Sequence, residues 1–532
     1  MKSLTLFLLF CISLSIIINS FPLGYSLSYS QTKTPIKHIV VIVQENAAFD
    51  HYFGTYPYAT IMGNATKFIP NNNTPSVNGL SFYLLNNNTN KYKNETANPY
   101  RIDPSQLRIC DVLHAYDVEQ NETNGGLMDN FISPSHPSSD GEKNLHCNPK
   151  QVMGYYDGNT VTALWNYAQH YAMSDNNFET NFGPSTPGHI NIISGQLHGA
   201  TPSNAKIPSS SALKFDAIVN GTLIANLDPK FDDCSRNTGI YKNTSIMMEG
   251  KNIGDLLNEK NITWGWFSQG FIPSTKNVDG TWTCNSIYHK SKGGTNNSDY
   301  YPDVEPFQYY NSTANPHHFS PSSNDKIGYN DIANHQYNLS SFWIAGQSGN
   351  LPAVSFIKAG SYQQGHPVSS GPLDEQLFLV NTINKIQNLP QWNNTAIIIT
   401  YDDSGGWYDH VMPPIISQSS DKANDMLLSK SNLMCGHAQK GLYNDRCGYG
   451  PRLPILIISP YSKINYVDHS ITDQSSILRF IEDNWNLGRI GNQSFDSIAG
   501  PLDNMFNFEI KVQSTAASNK LILDPNTGKI NQ

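Results

Sequence analysis

The 532-residue sequence has few charged residues, and the basic ones are the scarcer of the two signs. Charged side chains make up 14% of the chain, with 34 Lys and Arg against 43 Asp and Glu and a formal net charge of −9 at pH 7. The sequence contains no basic stripe, so it lacks the electrostatic attraction on which nucleic-acid binding depends. We therefore expect no nucleic acid among its partners.

Long apolar runs are also absent once the N-terminus is passed. Residues 1–20, MKSLTLFLLFCISLSIIINS, place one basic residue ahead of an apolar stretch, which is the pattern of a secretory signal peptide. We predict a signal peptide over residues 1–25, with cleavage between 20 and 30, and hence a secreted, extracellular protein. The alternative is an uncleaved N-terminal anchor, because the apolar stretch is nearly long enough to span a bilayer.

The cysteines lack the CxxC spacing that is typical of zinc sites. Six remain when Cys11, which lies in the predicted signal peptide, is set aside. An even number of cysteines in an exported chain favours disulfides, although six cysteines allow several connectivities. Pairing each cysteine with its neighbour in sequence predicts the disulfides Cys110–Cys147, Cys234–Cys284 and Cys435–Cys447.

No internal repeat divides the chain. Residues 60–100 are rich in Asn and Thr, and frequent Asn-x-Ser/Thr sequons, such as those at Asn64 and Asn94, predict a glycoprotein. Residues 271–350 are loop-rich and aromatic, which predicts a lid or insertion. We predict one large domain over residues 34–505, followed by a C-terminal tail over 506–532.

Three β-branched apolar runs predict buried strands. They are HIVVIVQ near the N-terminus, TAIIITY from residue 395 and LPILIIS from residue 453. PLDEQLFLVNTINKIQNL and TDQSSILRFIEDNWNL have apolar residues at helical spacing. Apolar strands that alternate with helices predict an α/β fold with a mainly parallel β-sheet flanked by helices.

Two of the predicted strands end in the same kind of side chain. The segment VVIVQEN ends in Glu45 and Asn46, and the segment IIITYDD ends in Asp402 and Asp403. In open parallel sheets, ligands bind outside the carboxyl ends of the strands. Three carboxylates and one amide oxygen suit a divalent cation, and without one the carboxylates would raise each other's pKa. We predict a divalent metal ion here, of unknown identity; the alternative is that the first strand simply reaches the surface.

Three motifs occur in a fixed order along the chain: ENAAFDHYFG at residues 45–54, GPSTPGH at 183–189 and ITYDDSGGWYDHVMPP at 399–414. Together they resemble the bacterial phospholipase C and acid phosphatase family of phosphoesterases, within the alkaline-phosphatase-like superfamily. The resemblance runs from about Lys37 to about Leu487. It implies an alkaline-phosphatase-like fold, and it makes residues 34–505 a phosphoesterase catalytic domain. It also implies that four residues hold the metal: Glu45, Asn46, Asp402 and Asp403.

The same resemblance implies a nucleophile and a set of histidines. The nucleophile position matches Ser185, with Thr186 as the adjacent possibility, and a hydroxyl there needs activation by a metal or a base. Imidazoles donate to the charge on the phosphoryl oxygens and protonate the leaving group. The histidines that match these roles are His114, His317, His318 and His366. The alternatives are an ordinary turn serine and histidines that belong to the surface or the core.

The sequence departs from the family pattern at several positions. Ala47 and Ala48 replace an Arg-Ser pair, and Gly188 stands where Asn is frequent, with His189 after it. Gln120 stands where another histidine is frequent. The predicted metal and nucleophile positions are intact, so phosphoryl transfer is favoured, while the groups that would contact the phosphoryl oxygens have changed. The Asp-His pairs at residues 50–51, 409–410 and 468–469 are expected either to support the site from behind the residues that contact the substrate or metal, or to be structural.

The sequence thus predicts an exported, metal-dependent phosphoesterase with a Ser nucleophile. The aromatic segment 260–320 slightly favours a phospholipase C-like activity on phospholipid, which would involve peripheral contact with a membrane. One alternative is an acid phosphatase that acts on small, soluble phosphomonoesters. Another is a catalytically inactive extracellular binding glycoprotein, which the altered positions Ala47, Ala48, Gly188 and Gln120 favour.

Overall fold

An eight-stranded sheet forms the centre of the structure, a computed structural model that describes residues 32–60, 67–132, 147–203, 217–219, 221–236, 245–419, 435, 446–509 and 519–531. Its strands, in chain order, are β1 His38–Gln44, β2 Ala172–Ser174, β3 Trp264–Ser268, β4 Gln336–Asn338, β5 Val354–Lys358, β6 Thr395–Tyr401, β7 Ile455–Ile458 and β8 Tyr466–Asp468. Their spatial order is β4-β3-β5-β1-β6-β7-β2-β8. Neighbours are parallel except that β7 is antiparallel to both β6 and β2. The predicted α/β fold with a mainly parallel sheet is confirmed.

Strand β1 shows why the sheet forms from these residues. All seven of its residues are buried, and it pairs in parallel with β5 on one side and β6 on the other. Val40 and Ile42 point into one hydrophobic cluster, whereas Ile39, Val41 and Val43 point into a second. A strand covered on both faces needs a continuous apolar run, and β1 has one.

Helices cover both faces of the sheet. They are α1 Phe49–Phe53, α2 Phe82–Asn86, α3 Tyr116–Thr123, α4 Thr162–His170, α5 Ser185–Ser194, α6 Ile253–Glu259, α7 Leu339–Gln347, α8 Pro372–Gln387 and α9 Ser476–Trp485. The first cluster includes residues of α1, α4, α7 and α8, and the second includes residues of α5, α6 and α9. The longest helix, α8, begins with a proline and has two acidic residues in its first turn, which suits the positive end of the helix dipole.

The predicted lid region, 271–350, contains two short hairpins and several 3-10 turns before it reaches β4 and α7. The hairpins are Thr275–Lys276 with Trp282–Thr283 and Tyr288–Lys290 with Asn296–Ser298. Other short strands pair as Lys91–Tyr92 with Glu95–Thr96, Tyr100–Arg101 with Gly154–Tyr155, Asn177–Phe178 with Thr472–Asp473, Ile218–Val219 with Thr222–Leu223, and Ser245–Met248 with both Asp228–Pro229 and Ala200–Pro202.

Part of the predicted C-terminal tail packs against the domain. Within residues 519–531, Leu521 and Leu523 are buried in the same cluster as α8. The Asn384 side chain donates to the Leu523 carbonyl and accepts from the Leu523 N–H. This segment therefore adds to the core instead of extending away from it.

The structure forms the three predicted disulfides, Cys110–Cys147, Cys234–Cys284 and Cys435–Cys447. The predicted signal peptide, and with it the alternative of an N-terminal anchor, lies outside the described residues. Within those residues, no helix has the length and hydropathy needed to cross a bilayer.

A buried ionic cluster ties three parts of the chain together. The Arg452 guanidinium lies 3.0 Å from an Asp409 carboxylate oxygen and 3.2 Å from one of Asp50. His410 Nδ1 lies 2.6 Å from the other Asp50 oxygen. Burial lowers the pKa of His410, but the carboxylates of Asp50 and Asp409 outweigh burial and raise it. Two of the three Asp-His pairs thus contribute to one ion network. In the third, His469 contacts Asp175.

Replacing Arg452 with methionine is expected to lower the free energy of unfolding by about 3–5 kcal/mol, because it leaves two buried carboxylates without their cation. Urea denaturation monitored by Trp fluorescence would measure the change. Lys251→Ala, which breaks the exposed ion pair with Glu259, is the control and should cost at most about 1 kcal/mol. Equal losses in the two variants would contradict this account of the cluster.

Candidate functional site

The two acidic strand ends meet at one edge of the sheet. Strands β1 and β6 are parallel neighbours that end in register, so Glu45-Asn46 and Asp402-Asp403 leave the sheet side by side. The Asn46 N–H donates to the Asp402 carboxylate at 3.2 Å. All four side chains are buried. The structure therefore brings the four residues of the predicted metal site together at the carboxyl ends of adjacent strands.

Ser185 lies next to this group. It is the first residue of α5, and its hydroxyl donates to Asp403 Oδ2 at 2.8 Å. The neighbouring Thr186 hydroxyl donates instead to the Asp303 carbonyl at 3.0 Å. The N-terminus of a helix also favours negative charge, which suits a phosphoryl group. Of the two hydroxyls considered for the nucleophile, Ser185 is the one that contacts a predicted metal ligand.

His114 is brought to the same place by the segment before α3. Its Nε2 lies 3.3 Å from Asn46 Nδ2 and 3.8 Å from Asp403 Oδ2, while Nδ1 donates to the Val112 carbonyl. Burial lowers the pKa of His114, but the carboxylates of Asp403, Asp111 and Glu119 outweigh burial and raise it to about 9. The carboxylates therefore favour protonation of the ring.

A cavity of about 300 Å³ opens onto the site. Glu45, Ser185 and His366 line it, and so do Arg236, Tyr301 and Asp303. The Arg236 guanidinium is paired with Asp228 at 3.0 Å and with Asp303 at 2.9 Å. The cavity therefore places a predicted nucleophile, a predicted histidine and a cation around one space.

The structure places His317 and His318 away from this lining. His317 Nδ1 lies 2.9 Å from Asp233 and its ring stacks on Trp282. His318 Nε2 lies 3.0 Å from Asp232 and its ring stacks on Phe271. Among the described residues that line the cavity, neither histidine appears.

His189 is a part of the site to which the sequence assigned no role. Its Nδ1 lies 2.9 Å from the Ser185 carbonyl and 3.4 Å from Asp402 Oδ2, and its Nε2 lies 4.0 Å from Glu45 Oε1. Burial, with the nearby Lys358 charge, lowers the pKa of His189 to about 3. Its position four residues after Ser185 puts it on the same helical face, which becomes a signal only once the helix is known.

Lys358 is the second residue that sequence reasoning missed. It is the last residue of β5, and its ammonium lies 2.5 Å from Glu45 Oε1 in a fully buried position. Burial raises the pKa of Glu45, but Lys358, His189 and His366 together outweigh burial, so this pKa lies below its usual range. A lysine at the carboxyl end of a strand beside β1 is visible in the sequence only once the strand order is known.

The residues present fit a divalent cation. Three buried atoms have no hydrogen-bond partner within the part of the chain that the structure describes: Asn46 Oδ1, Asp402 Oδ2 and His189 Nε2. Ligand atoms of Glu45, His189 and Asp402 lie within 4.8 Å of one another. Buried polar atoms without partners are costly, and a cation would satisfy all three. Burial and the neighbouring carboxylates raise the pKa of Asp402 well above its usual range.

Residues 36–488 match the Phosphoesterase family, which covers most of the chain. The chain belongs to the Phosphoesterase family. It is 23% identical to phospholipase C B of Mycobacterium tuberculosis H37Rv over 494 residues, which cover 89% of this chain and 78% of that protein. It is 34% identical to the non-hemolytic phospholipase C of Burkholderia pseudomallei over 144 residues, which cover 26% of this chain and 20% of the relative. The predicted resemblance is thus confirmed, and it supports a hydrolase that acts on phosphoric esters.

Similarity to solved structures is weaker. A protein in the alkaline phosphatase superfamily from Vibrio parahaemolyticus is 11% identical, with a TM-score of 0.27 and 62% of each chain covered. Murine ectonucleotide pyrophosphatase/phosphodiesterase 5 is also 11% identical, with a TM-score of 0.31, and covers 65% of this chain and 95% of its own. At these TM-scores the similarity is weak, and the fold is defined by the order and direction of the eight strands.

Gly188 gives a physical reason for one departure from the family pattern. A Cβ atom at this position would lie 2.0 Å from the Asp402 carbonyl oxygen. The missing side chain therefore lets α5, which carries Ser185, pack directly on the backbone of a predicted metal ligand. Ala47 and Ala48 are fully buried in the core, so the residues packed around them leave little space for larger polar side chains at these two positions.

Gly188→Ala is expected to destabilise the protein by about 1–3 kcal/mol, because α5 must move away from the Asp402 backbone. Thermal unfolding would measure the loss. The matched control is Gly346→Ala in α7, whose Cβ would meet only the end of the Leu389 side chain. A Gly188→Ala protein as stable as the control would show that α5 is not held this closely.

With no cation in the site, stability is expected to depend on pH. Without a cation, burial raises the pKa of Asp402 well above its usual range, and it raises that of Glu119 to about 8. Carboxyl groups whose pKa is higher in the folded state stabilise it at low pH, and this contribution is lost as the pH rises towards the folded pKa. With a chelator present, the unfolding temperature should fall between about pH 5 and 8.

Thermal scans with chelator and with added divalent metal would test this expectation, and metal should raise the unfolding temperature more at pH 8 than at pH 5. Asp402→Asn is the control, because it removes one of the titrating groups and should flatten the chelator profile. Stability that rises with pH in the chelated wild type would contradict the assignment.

Proposed function

We propose that this protein is an exported, metal-dependent phosphoesterase that uses Ser185 as its nucleophile and prefers phospholipid esters. The observation that carries the proposal is the 2.8 Å hydrogen bond from the Ser185 hydroxyl to Asp403 at the N-terminus of α5. A hydroxyl held against a cluster of carboxylates, with its oxygen at the positive end of a helix, is suited to attack on phosphorus. Membership of the Phosphoesterase family supports the reaction class.

Glu45, Asn46, Asp402 and Asp403 would hold the divalent cation, which when bound would lower the pKa of the nucleophile and offset the charge on the phosphoryl oxygens. The Ser185 oxygen attacks phosphorus while its proton passes to Asp403, and the bond to the leaving oxygen breaks. The product is a phosphoserine, which water then hydrolyses. With Nε2 protonated, the His114 ring would donate towards the phosphoryl oxygens.

The leaving oxygen needs a proton as its bond to phosphorus breaks. His366 shares the cavity with Ser185, so we assign this proton to it. The sequence resemblance assigns this role to His317 or His318. They contact Asp233 and Asp232 and are not among the described residues that line the cavity, so their participation stays a prediction of the sequence resemblance.

The choice of a phospholipid is supported by the relatives named phospholipase C. The cavity lining includes the apolar residues Tyr301, Val304 and Val368 as well as the Arg236 cation, which suits a polar head group attached to an apolar body. Small phosphomonoesters are the second candidate, because the cavity is small and mostly polar in its lining. Export is supported by the N-terminal sequence pattern and by three disulfides.

Ser185→Ala is expected to lower kcat at least about 10³-fold, since it removes the group that forms the covalent intermediate. Hydrolysis of p-nitrophenyl phosphate, p-nitrophenyl phosphorylcholine and phospholipid vesicles would measure the loss, with and without chelator. Thr186→Ala is the matched control, because its hydroxyl contacts a backbone carbonyl, and it should keep activity within about tenfold of wild type.

The same assays distinguish the alternatives. Turnover of the monoester alone would select a phosphatase, and turnover of the phosphorylcholine ester and the vesicles would select a phospholipase C. If the wild-type protein turns over none of these with any added divalent metal, a binding glycoprotein is the better description. Full activity in Ser185→Ala would reject Ser185 as the nucleophile.

A further inference from the structure

The imidazole of His189 is oriented by the nucleophile's own backbone. A carbonyl oxygen only accepts hydrogen bonds, so at 2.9 Å from the Ser185 carbonyl the His189 Nδ1 must carry a hydrogen. In the neutral ring, Nε2 is then left with a lone pair. This atom is buried and has no hydrogen-bond partner among the described residues. An acceptor in that position is costly unless something binds it.

The unpartnered nitrogen lies near a carboxylate at the strand ends, 4.0 Å from Glu45 Oε1. Asp402 Oδ2, which lies 3.4 Å from Nδ1 of the same ring, is also buried without a hydrogen-bond partner among the described residues. Two ligand atoms that are each about 2.1 Å from one ion lie at most about 4.2 Å apart. The His189 nitrogen and the Glu45 oxygen are therefore already close enough to share one cation.

We propose that His189 is a nitrogen ligand of the metal site, so that this chain takes a transition-metal ion in preference to Ca²⁺ or Mg²⁺. The inference rests on the proposed function, because it concerns the cation that Glu45 and Asp402 would hold. Imidazole suits zinc, copper, iron and nickel, whereas sites made only of carboxylate and carbonyl oxygens suit calcium, magnesium and manganese. One nitrogen in an oxygen-rich set therefore changes which metal is selected.

The hydrogen bond to Ser185 has the form found around histidine ligands. A metal-binding imidazole usually donates its other N–H to a carbonyl or carboxylate, which fixes the ring and makes the ligand more basic. Here the acceptor is the carbonyl of the nucleophile, one helical turn away on α5. Binding at His189 would therefore hold the first turn of the helix, and with it Ser185, in register with the cation.

Lys358 offers a competing explanation, because its ammonium lies beside Glu45 and its charge acts on His189. A hydrogen bond from Lys358 to Nε2 would satisfy the ring without a metal. The Lys358 ammonium is already hydrogen-bonded to Glu45 Oε1 at 2.5 Å. The neutral His189 imidazole would offer a cation one more ligand atom without changing the net charge of the site. The experiment below separates these two roles.

Copper(II) added to the metal-free, full-length protein gives a direct readout by electron paramagnetic resonance, since a bound imidazole nitrogen couples to the unpaired electron. We expect nitrogen coupling in the wild type and its loss in His189→Gln. Calorimetry should show that zinc affinity falls at least about tenfold in His189→Gln, while magnesium affinity changes much less. His335→Gln, at a buried histidine whose two nitrogens both have partners, is the control and should bind like wild type.

Nitrogen coupling that survives in His189→Gln, or zinc affinity equal to wild type, would overturn the proposal and favour the bond from Lys358. If His189→Gln does not fold, the copper(II) spectrum of the wild type is the test, because a wild-type spectrum without nitrogen coupling also rejects His189 as a metal ligand. A failure of the proposed function looks different: the wild type would then bind no divalent ion, and Glu45→Gln and Asp402→Asn would change nothing.

Discussion

Buried negative charge at the carboxyl ends of β1 and β6 is the constraint on which the rest of the site depends. Glu45, Asp402 and Asp403 converge because two parallel strands end in register, and carboxylates this close repel one another unless cations compensate them. Lys358 reaches Glu45 from β5, and His114 lies 3.8 Å from Asp403 at the end of the segment before α3. The neighbouring strand and the neighbouring loop are thus tied to the site by charge as well as by packing.

Another carboxylate, that of Glu119, connects Ser185 to this centre. Glu119 accepts a hydrogen bond from the Gly183 N–H, two residues before Ser185, and another from the Ser404 hydroxyl, next to Asp403. Within α5, Gly188 packs against the Asp402 backbone. The position of Ser185 is therefore determined by contacts both before its helix and within it.

Much of the arrangement at the strand ends can be predicted from short stretches of sequence. A continuous apolar run predicts a strand buried on both faces, and its last residues lie at the ligand-binding edge of a parallel sheet, so Glu45 and Asp402 could be placed together from 350 residues apart. The antiparallel direction of β7 could not be predicted, because an apolar run has the same composition in either direction. Lys358 was missed for a related reason: its role depends on β5 lying beside β1, which is a property of strand order. His189 escaped notice because a histidine after a glycine has no distinctive signal until the helix face is known.

The small volume of the cavity has a consequence for how a lipid would be handled. About 300 Å³ is at the lower limit of ordinary small-molecule sites, enough for a phosphorylated head group but not for two acyl chains. A phospholipid would therefore be cleaved with its fatty chains still outside the protein, resting in the bilayer or micelle from which it came. Such an enzyme has no need to extract its substrate, and its rate would follow how the head groups are spaced and presented at that interface.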